Sequence, residues 1–173
     1  MKAIIVSDIH DDLKLTSYLI EKVDREHYDN ILIAGDIGYN SIIEFNKIAG
    51  KIIAVKGNND FSSFTNRASF LLPEVNYYVL NKKLFVLTHG DRLSFDDYMY
   101  YYGDKFDVFI SGHTHVSKME IVKDKIVLNP GSISYPRDGM KTYMIVDDNL
   151  IKLVDLNENI IKEINYLEAV WII

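Results

Sequence analysis

The chain has 173 residues, of which 48% are hydrophobic and 25% are charged, and its formal net charge is −6. This length and composition predict one globular domain with a sizeable core, to which we assign residues 1–173. The acidic balance argues against a wide basic face for duplex nucleic acid or anionic lipid. A small phosphate substrate is still compatible, because a bound metal ion can supply the local positive charge.

Cysteine is absent, which excludes disulfides, a thiolate nucleophile and any sulfur-ligated zinc or iron–sulfur site. A metal ion would therefore have nitrogen and oxygen ligands. The apolar run at the amino terminus is too short for a signal peptide, and no run approaches the roughly 20 residues that span a bilayer. We therefore expect a cytoplasmic protein without a membrane partner. The apolar segment 170–173 is expected to be buried, either under its own sheet or in a homo-oligomer.

The first third of the chain alternates short buried strands with helices. The pattern predicts strands at 3–6, 31–34 and 52–55 and helices at 13–23 and 42–48. Strands joined by helical crossovers are parallel, and such sheets bind ligands at the carboxyl ends of their strands. The three strands are followed by Ser7-Asp8, Gly35-Asp36 and Gly57-Asn58.

The rest of the chain is rich in strands. The pattern predicts strands at 75–80, 84–87, 108–110, 118–122, 126–128, 142–146, 151–154 and 160–164, and a helix at 94–102. This helix carries an aromatic run, 98–102, that could stack a nucleobase, pack in the core or form a subunit interface. We expect the last strands to form a second, largely antiparallel sheet, so that each half of the chain supplies one sheet and helices lie outside.

Histidines follow two of the predicted strands. His89 comes after 84–87, and His113 and His115 come one residue apart after 108–110. In an extended loop, imidazoles at alternate positions reach the same side and can converge on one point. Imidazole is the commonest metal ligand among side chains, so the polar residues at the strand ends form a candidate metal site. They are Asp8, His10, Asp36, Asn58, His89, His113 and His115.

Seven ligands are too many for one tetrahedral centre and suit two five- or six-coordinate ions. Two ions about 3.5–4 Å apart can share a hydroxide and bind both the attacking and the leaving oxygens of a phosphoryl group. Asp36 has no neighbouring ligand in the sequence, which suits a carboxylate that bridges the ions. The oxygen and imidazole donors favour Mn²⁺, with Ni²⁺, Fe²⁺, Zn²⁺ or Mg²⁺ as alternatives.

Five motifs, in this order, resemble those of the calcineurin-like metallophosphoesterases, and most of all the small bacterial and archaeal phosphodiesterase branch. They are Asp8-Ile9-His10, Gly35-Asp36, Gly57-Asn58-Asn59-Asp60, Thr88-His89-Gly90 and Gly112-His113-Thr114-His115. The resemblance implies a mixed α/β fold, a four-layer α-β-β-α sandwich of two mixed sheets flanked by helices. It also implies hydrolysis of phosphate esters by in-line attack of a metal-bound hydroxide. The implied ligands are Asp8, His10 and His115 for the first ion, Asn58, His89 and His113 for the second, and Asp36 for both.

The chain departs from the family pattern at three positions. The wider family usually has a histidine at position 59, near the leaving group, whereas the amide of Asn59 can orient a phosphate oxygen but cannot act as a general acid. Many members of the branch have glycine and histidine where this chain has Asp11 and Asp91, which add negative charge near the mouth of the site. We take Asn58 and Asn59 as candidate catalytic residues. Arg137 is a candidate for substrate binding through its planar guanidinium, although a surface turn is the commoner setting.

The sequence thus predicts a metal-dependent phosphodiesterase that acts on small phosphate diesters. One alternative is a non-catalytic protein-binding scaffold, because the retromer subunit of eukaryotes resembles this branch but has an eroded site. The other is a nuclease or a phosphomonoesterase of the superfamily. The full set of seven candidate ligands argues against a scaffold, and this short acidic chain has no room for the DNA-binding parts of the repair nucleases.

Overall fold

The computed structural model describes residues 1–168 and 170–171. Within them the strands are β1 (Lys2–Val6), β2 (Asn30–Ala34), β3 (Ile52–Val55), β4 (Val75–Leu80), β5 (Lys83–Thr88), β6 (Val108–Ile110), β7 (Ser117–Val122), β8 (Lys125–Pro130), β9 (Thr142–Asp147), β10 (Leu150–Asp155), β11 (Ile160–Asn165) and β12 (Val170–Trp171). The helices are α1 (Leu13–Arg25), α2 (Tyr39–Phe45), α3 (Ser62–Thr65) and α4 (Phe95–Tyr102), and a 3-10 helix, Asn46–Lys51, follows α2.

The strands form two mixed sheets. The seven-stranded sheet has the order β12-β11-β10-β9-β1-β2-β3, in which β1, β2 and β3 are parallel. The five-stranded sheet has the order β4-β5-β6-β8-β7, in which β5, β6 and β8 are parallel. Each sheet therefore has a block of three parallel strands whose carboxyl ends lie at one edge.

The side chains of β1 show how the layers are arranged. Ala3 and Ile5 pack in a core that lies between the two sheets, whereas Ile4 and Val6 pack with residues of α1 and α2 on the outer face. A third core joins the second sheet to α4, for example through Phe109. The layers are therefore helices, first sheet, second sheet and helix. The α-β-β-α sandwich that the sequence predicted is confirmed.

One expectation about the sheets is wrong. The strands after residue 140 do not form the second sheet, because β9 pairs antiparallel with β1 and places Met144 opposite Ile5. Strands β9 to β12 therefore extend the first sheet, and the second sheet comes from the middle of the chain. Both faces of β9 are buried, with Met144 in the core between the sheets and Tyr143 in the core beneath the helices. The alternation of a short strand specifies its buried faces but not the strand that it joins.

The two longer helices begin at side chains that cap them. The carboxylate of Asp12 accepts the N–H of Leu15 at the start of α1, and Ser94 and Asp97 form a reciprocal capping box at the start of α4. The helix expected at 42–48 ends earlier, because Ile48 has a non-helical conformation inside the following 3-10 helix. Among the residues that the structure describes, no helix is long and apolar enough to cross a membrane.

The contribution of the core between the sheets can be tested at Ile5, which is fully buried. We expect Ile5→Ala to lower the free energy of unfolding by about 2–5 kcal/mol, because it removes buried methylene groups and leaves a cavity. Ile160 lies in β11 of the same sheet with 55% of its side chain exposed, so Ile160→Ala should stay within about 0.5 kcal/mol of the native chain. Urea unfolding measures both, and equal losses would contradict this assignment of the core.

Candidate metal centre

The candidate ligands lie where the parallel strands of both sheets end. They follow β1 (Asp8 and His10), β2 (Asp36), β3 (Asn58), β5 (His89) and β6 (His113 and His115). Hydrogen bonds join the loops, since the N–H of Gly112 donates to the carbonyl of His89 at 2.9 Å. The hydroxyls of Ser132 and Ser134, after β8, both donate to the carbonyl of Asp8 at 2.7 Å. The two sheets thus bring all seven side chains to one edge of the sandwich.

Asp8, His10 and His115 form the first of two groups. His115 Nε2 lies 3.0 Å from His10 Nε2 and 3.2 Å from Asp8 Oδ1. On the other side of its ring, His115 Nδ1 lies 2.7 Å from the carbonyl of Tyr135, which requires Nδ1 to carry the proton that it donates. This contact leaves the lone pair of Nε2 facing the carboxylate, an arrangement that is typical of histidines that bind metals.

His89, Asp36, Asn58 and His113 form the second group. His89 Nδ1 donates to the carbonyl of Ala34 at 2.7 Å, so its Nε2 faces the group. This Nε2 atom lies 3.5 Å from Asp36 Oδ1 and 3.0 Å from Asn58 Oδ1. The same amide oxygen lies 3.0 Å from His113 Nδ1, so three donors for a metal ion meet at Asn58.

The surroundings of Asp8 fit a cation. Its side chain is fully buried, and its Oδ1 atom has no hydrogen-bond partner among the residues that the structure describes. Burial raises the pKa of this carboxyl, since desolvation penalises the charged form, while a hydrogen bond from Ser7 and nearby histidines act in the opposite direction. The ligand atoms of Asp8, His10 and His115, and those of Asp8, Asp36 and His89, lie within 4.8 Å of one another in each group. Each of these two three-residue clusters, which share Asp8, could therefore hold a metal ion.

Asn59 contacts Asp36 through both its backbone and its side chain. Its N–H donates to Asp36 Oδ1 at 2.8 Å and its Nδ2 donates to Oδ2 at 2.6 Å. Burial alone would raise the pKa of Asp36, but hydrogen bonds from His89 and Asn59 outweigh it and lower the pKa to about 2. The side chain of Asn59 therefore holds Asp36 ionised and in a fixed orientation, and its place near a leaving group stays a prediction.

Five of the candidate ligands have a left-handed backbone. Their φ angles are 54° for Asp8, 48° for His10, 52° for Asp36, 67° for His113 and 59° for His115. This region is uncommon for residues other than glycine, and such residues cluster at functional sites. The expectation that an extended loop would bring His113 and His115 to one point is therefore wrong. The loop is turned, so that His115 faces Asp8 and His113 faces Asn58.

Asp60 has a structural role that the sequence did not reveal. Its buried carboxylate accepts the N–H groups of Ile37, Gly38 and Gly57 at 2.9 to 3.1 Å. These bonds fasten the loop after β2, which carries Asp36, to the loop after β3. The position of Asp60 in the third motif was the only signal, because a carboxylate that binds backbone cannot be told from a metal ligand by sequence.

The remaining sequence candidates lie around the rim. Arg137 is exposed, its N–H donates to the carbonyl of His115 at 2.9 Å, and its guanidinium makes no ion pair within the described residues. The carboxylate of Asp11 accepts two hydrogen bonds, from the N–H of Ser41 at 2.9 Å and from the side-chain amide of Asn40 at 2.7 Å. Asp91 lies beside Arg92, at 3.6 Å.

Comparison with known protein families agrees with this geometry. Residues 1–149 match the calcineurin-like phosphoesterase superfamily domain. The chain belongs to this superfamily. Phosphodiesterase YfcE of Escherichia coli is 28% identical over 91% of this chain and 94% of its own length. Phosphodiesterase MJ0936 of Methanocaldococcus jannaschii is 31% identical over 85% of this chain and 93% of its own length.

Two solved structures share the fold of this chain. The structure of the phosphoesterase YfcE from Escherichia coli has a TM-score of 0.86 and 25% identity, covering 96% of this chain and 100% of that one. Vps29 of Entamoeba histolytica, solved with zinc, has a TM-score of 0.70 and 18% identity, covering 96% of this chain and 99% of that one. The second likeness concerns the fold alone, because its identity is low.

The backbone of Gly57 lies against Asp36 and leaves no space for a side chain at position 57. A Cβ atom at this position would lie 2.8 Å from Asp36 Cγ and closer still to Oδ1. We expect Gly57→Ala to displace the carboxylate and to weaken Mn²⁺ binding about 10- to 100-fold, the usual effect of disturbing the support of a ligand. Gly50 has no atom within 4 Å of such a Cβ, so Gly50→Ala is the matched control. Calorimetric titration with Mn²⁺ measures both, and equal affinities would contradict the role of Asp36.

The protonation of His89 predicts how metal binding depends on pH. Burial lowers the pKa of this imidazole, but hydrogen bonds to Asp36 and to the carbonyl of Ala34 outweigh it and raise the pKa to about 9. In the metal-free protein His89 is therefore protonated at pH 7, whereas a metal ligand must be neutral. We expect the affinity for Mn²⁺ to rise about tenfold per pH unit between pH 7 and 8.5, as one proton is released.

Calorimetry in buffers of different ionisation enthalpy counts this proton directly. His27→Asn removes a histidine outside the site and should leave the count unchanged. An affinity that no longer varies above pH 7 would contradict the raised pKa of His89.

Proposed function

We propose that the chain is a phosphodiesterase that hydrolyses small phosphate diesters with two divalent metal ions. Its superfamily supports hydrolysis of phosphoester bonds. Two relatives that are named phosphodiesterases support the choice of a diester. The observation that carries the proposal is a pair of adjoining clusters of ligand atoms, Asp8-His10-His115 and Asp8-Asp36-His89, which share the buried carboxylate of Asp8.

In this proposal seven side chains hold the two ions. Asp8, His10 and His115 would hold the first ion, Asn58, His89 and His113 would hold the second, and Asp36 would be a ligand of both. Imidazole, carboxylate and amide donors suit Mn²⁺, and Ni²⁺, Fe²⁺, Zn²⁺ and Mg²⁺ are the alternatives that metal availability would decide. Bound there, the ions would lower the pKa of a water molecule and neutralise charge on the phosphoryl oxygens.

The protein groups bind and orient the substrate. Asp36 stays anionic and fixed because Asn59 donates two hydrogen bonds to it. Arg137, whose backbone N–H donates to the carbonyl of His115, makes no ion pair among the residues that the structure describes, and its guanidinium would bind a phosphate oxygen. Asn58 Oδ1 lies 3.0 Å from a ring nitrogen of both His89 and His113 and would bind the second ion together with them. Since no acidic side chain stands at position 59, the leaving oxygen takes its proton from water, and esters with good leaving groups are favoured.

Other aspects of the protein remain predictions. A net charge of −6 supports a small substrate over duplex nucleic acid. Assignment of the chain to one domain, the cytoplasmic location and the homo-oligomer stay as the sequence predicted them. The side chains of 170–173, on which the homo-oligomer depends, lie outside the described residues.

Turnover of chromogenic esters tests the proposal. Metal-stripped protein is assayed with bis(4-nitrophenyl) phosphate and 4-nitrophenyl phosphate after Mn²⁺, Ni²⁺, Zn²⁺ or Mg²⁺ is restored separately. We expect metal-dependent cleavage of the diester, and we expect Asp36→Asn to lower kcat at least about 100-fold, because the carboxylate between the ions is lost.

Asp24→Asn is the matched control for this assay. Asp24 lies on α1, with 62% of its side chain exposed, and this change should leave kcat unaltered. It also excludes a contaminating enzyme, since both variants are purified in the same way. Metal binding without turnover of either ester would contradict the proposal and favour a scaffold. Cleavage of the monoester alone would indicate a phosphomonoesterase.

A further inference from the structure

A cleft of about 370 Å³ adjoins the candidate metal centre. Two members of the second ligand group, Asn58 and His89, line it, and it continues between the segment after β3 and the end of α4. Its volume falls in the range of about 300–1,000 Å³ that is usual for small-molecule sites. A substituent on a phosphate bound at Asn58 and His89 therefore has room to extend into this cleft.

Two exposed aromatic rings line the cleft. Phe61 is 59% exposed and Tyr102 is 61% exposed. Both rings are held by neighbours inside the protein. Tyr102 stacks on the buried ring of Tyr98, with centroids 5.0 Å apart and planes at 26°, and Phe61 contacts the edge of Phe64 at 5.4 Å. Held rings with an open face offer a platform for a flat ligand at a small cost in conformational entropy.

The charges in the cleft select against a second anionic group. Lys56 Nζ and Arg92 Nη1 both contact the same oxygen of Glu74, at 3.2 and 2.7 Å. Arg92 Nε also lies 3.6 Å from Asp91. The two cations are thus paired with two carboxylates, which cancels their charge. These carboxylates can accept hydrogen bonds from hydroxyl or amino groups, so the cleft suits an uncharged aromatic group with polar edges.

We propose that this cleft binds the nucleoside of a nucleotide diester, with the phosphate at Asn58 and His89 and the base against Phe61 and Tyr102. The proposal rests on the proposed function and specifies its substrate. It also assigns a role to one residue of the aromatic run 98–102. Tyr98 is a core residue and Tyr102 forms part of the subsite, whereas Tyr100 is 83% exposed and does not line the cleft.

Binding of adenosine 5′-monophosphate and of ribose 5-phosphate to the Mn²⁺-loaded protein tests the subsite, because the two probes differ only in the base. Calorimetry should give at least about fivefold tighter binding for the nucleotide, the lower end of what stacking on one aromatic ring supplies. Phe61→Leu and Tyr102→Leu should each move this ratio toward one. Tyr100→Leu, which changes an exposed tyrosine of the same helix, should leave it unaltered. Thermal melting checks that all three variants are folded.

A ratio near one in the native protein would overturn the subsite, as would a ratio that Phe61→Leu and Tyr102→Leu leave intact. Turnover of bis(4-nitrophenyl) phosphate, measured on the same preparations, separates this failure from failure of the proposed function. Turnover without preference for the nucleotide contradicts the subsite alone. Preference without turnover of any ester supports the subsite and contradicts hydrolysis.

Discussion

The buried carboxylate of Asp8 is the group on which the candidate centre depends. Its Oδ2 accepts the N–H of His113 at 3.0 Å and its carbonyl accepts two serine hydroxyls, so that the loops after β1, β6 and β8 are tied together. Its Oδ1 remains without a protein donor among the described residues. Burial penalises the charged form of this carboxyl, and a cation held with the neighbouring imidazoles would offset that cost. Asp8 therefore connects the loops through its hydrogen bonds and also favours the binding of a metal ion beside its carboxylate.

The candidate metal centre and the adjoining cleft are formed by different elements of the fold. The ligands come from the ends of parallel strands, where side chains are fixed by two packed sheets, and they concentrate negative charge and imidazoles. The adjoining cleft comes from the segment after β3 and from α4, and its ionic groups are paired with one another. The proposed centre would thus act on a phosphate in general, and the cleft would distinguish between the groups attached to that phosphate.

Residue type and position at strand ends were enough to predict the candidate centre. Asp8, Asp36 and Asn58 each follow a buried apolar run, and parallel strands bring such positions together whatever the details of the loops. The loops themselves could not be predicted, because a left-handed backbone at His113 and His115 is imposed by surrounding contacts and leaves no mark in residue type. The two bonds from Asn59 to Asp36 depend on that same geometry. The strand that pairs with β9 could not be predicted either, because the alternation of apolar and polar residues specifies the buried face of a strand and not its neighbour in the sheet.

The pairing of β9 with β1 has a consequence for how the protein is made. Strand β1 is synthesised before both of its neighbours, and one of them is complete only after residue 147 has been synthesised. Until then the nascent chain exposes an unpaired edge of β1 and the apolar faces around it, which makes long-range pairing a late step. His115, the partner of Asp8, also comes late in the chain. The full set of candidate ligands therefore exists only after residue 115 has been synthesised, and a chain that stops before β9 would expose an aggregation-prone edge of β1.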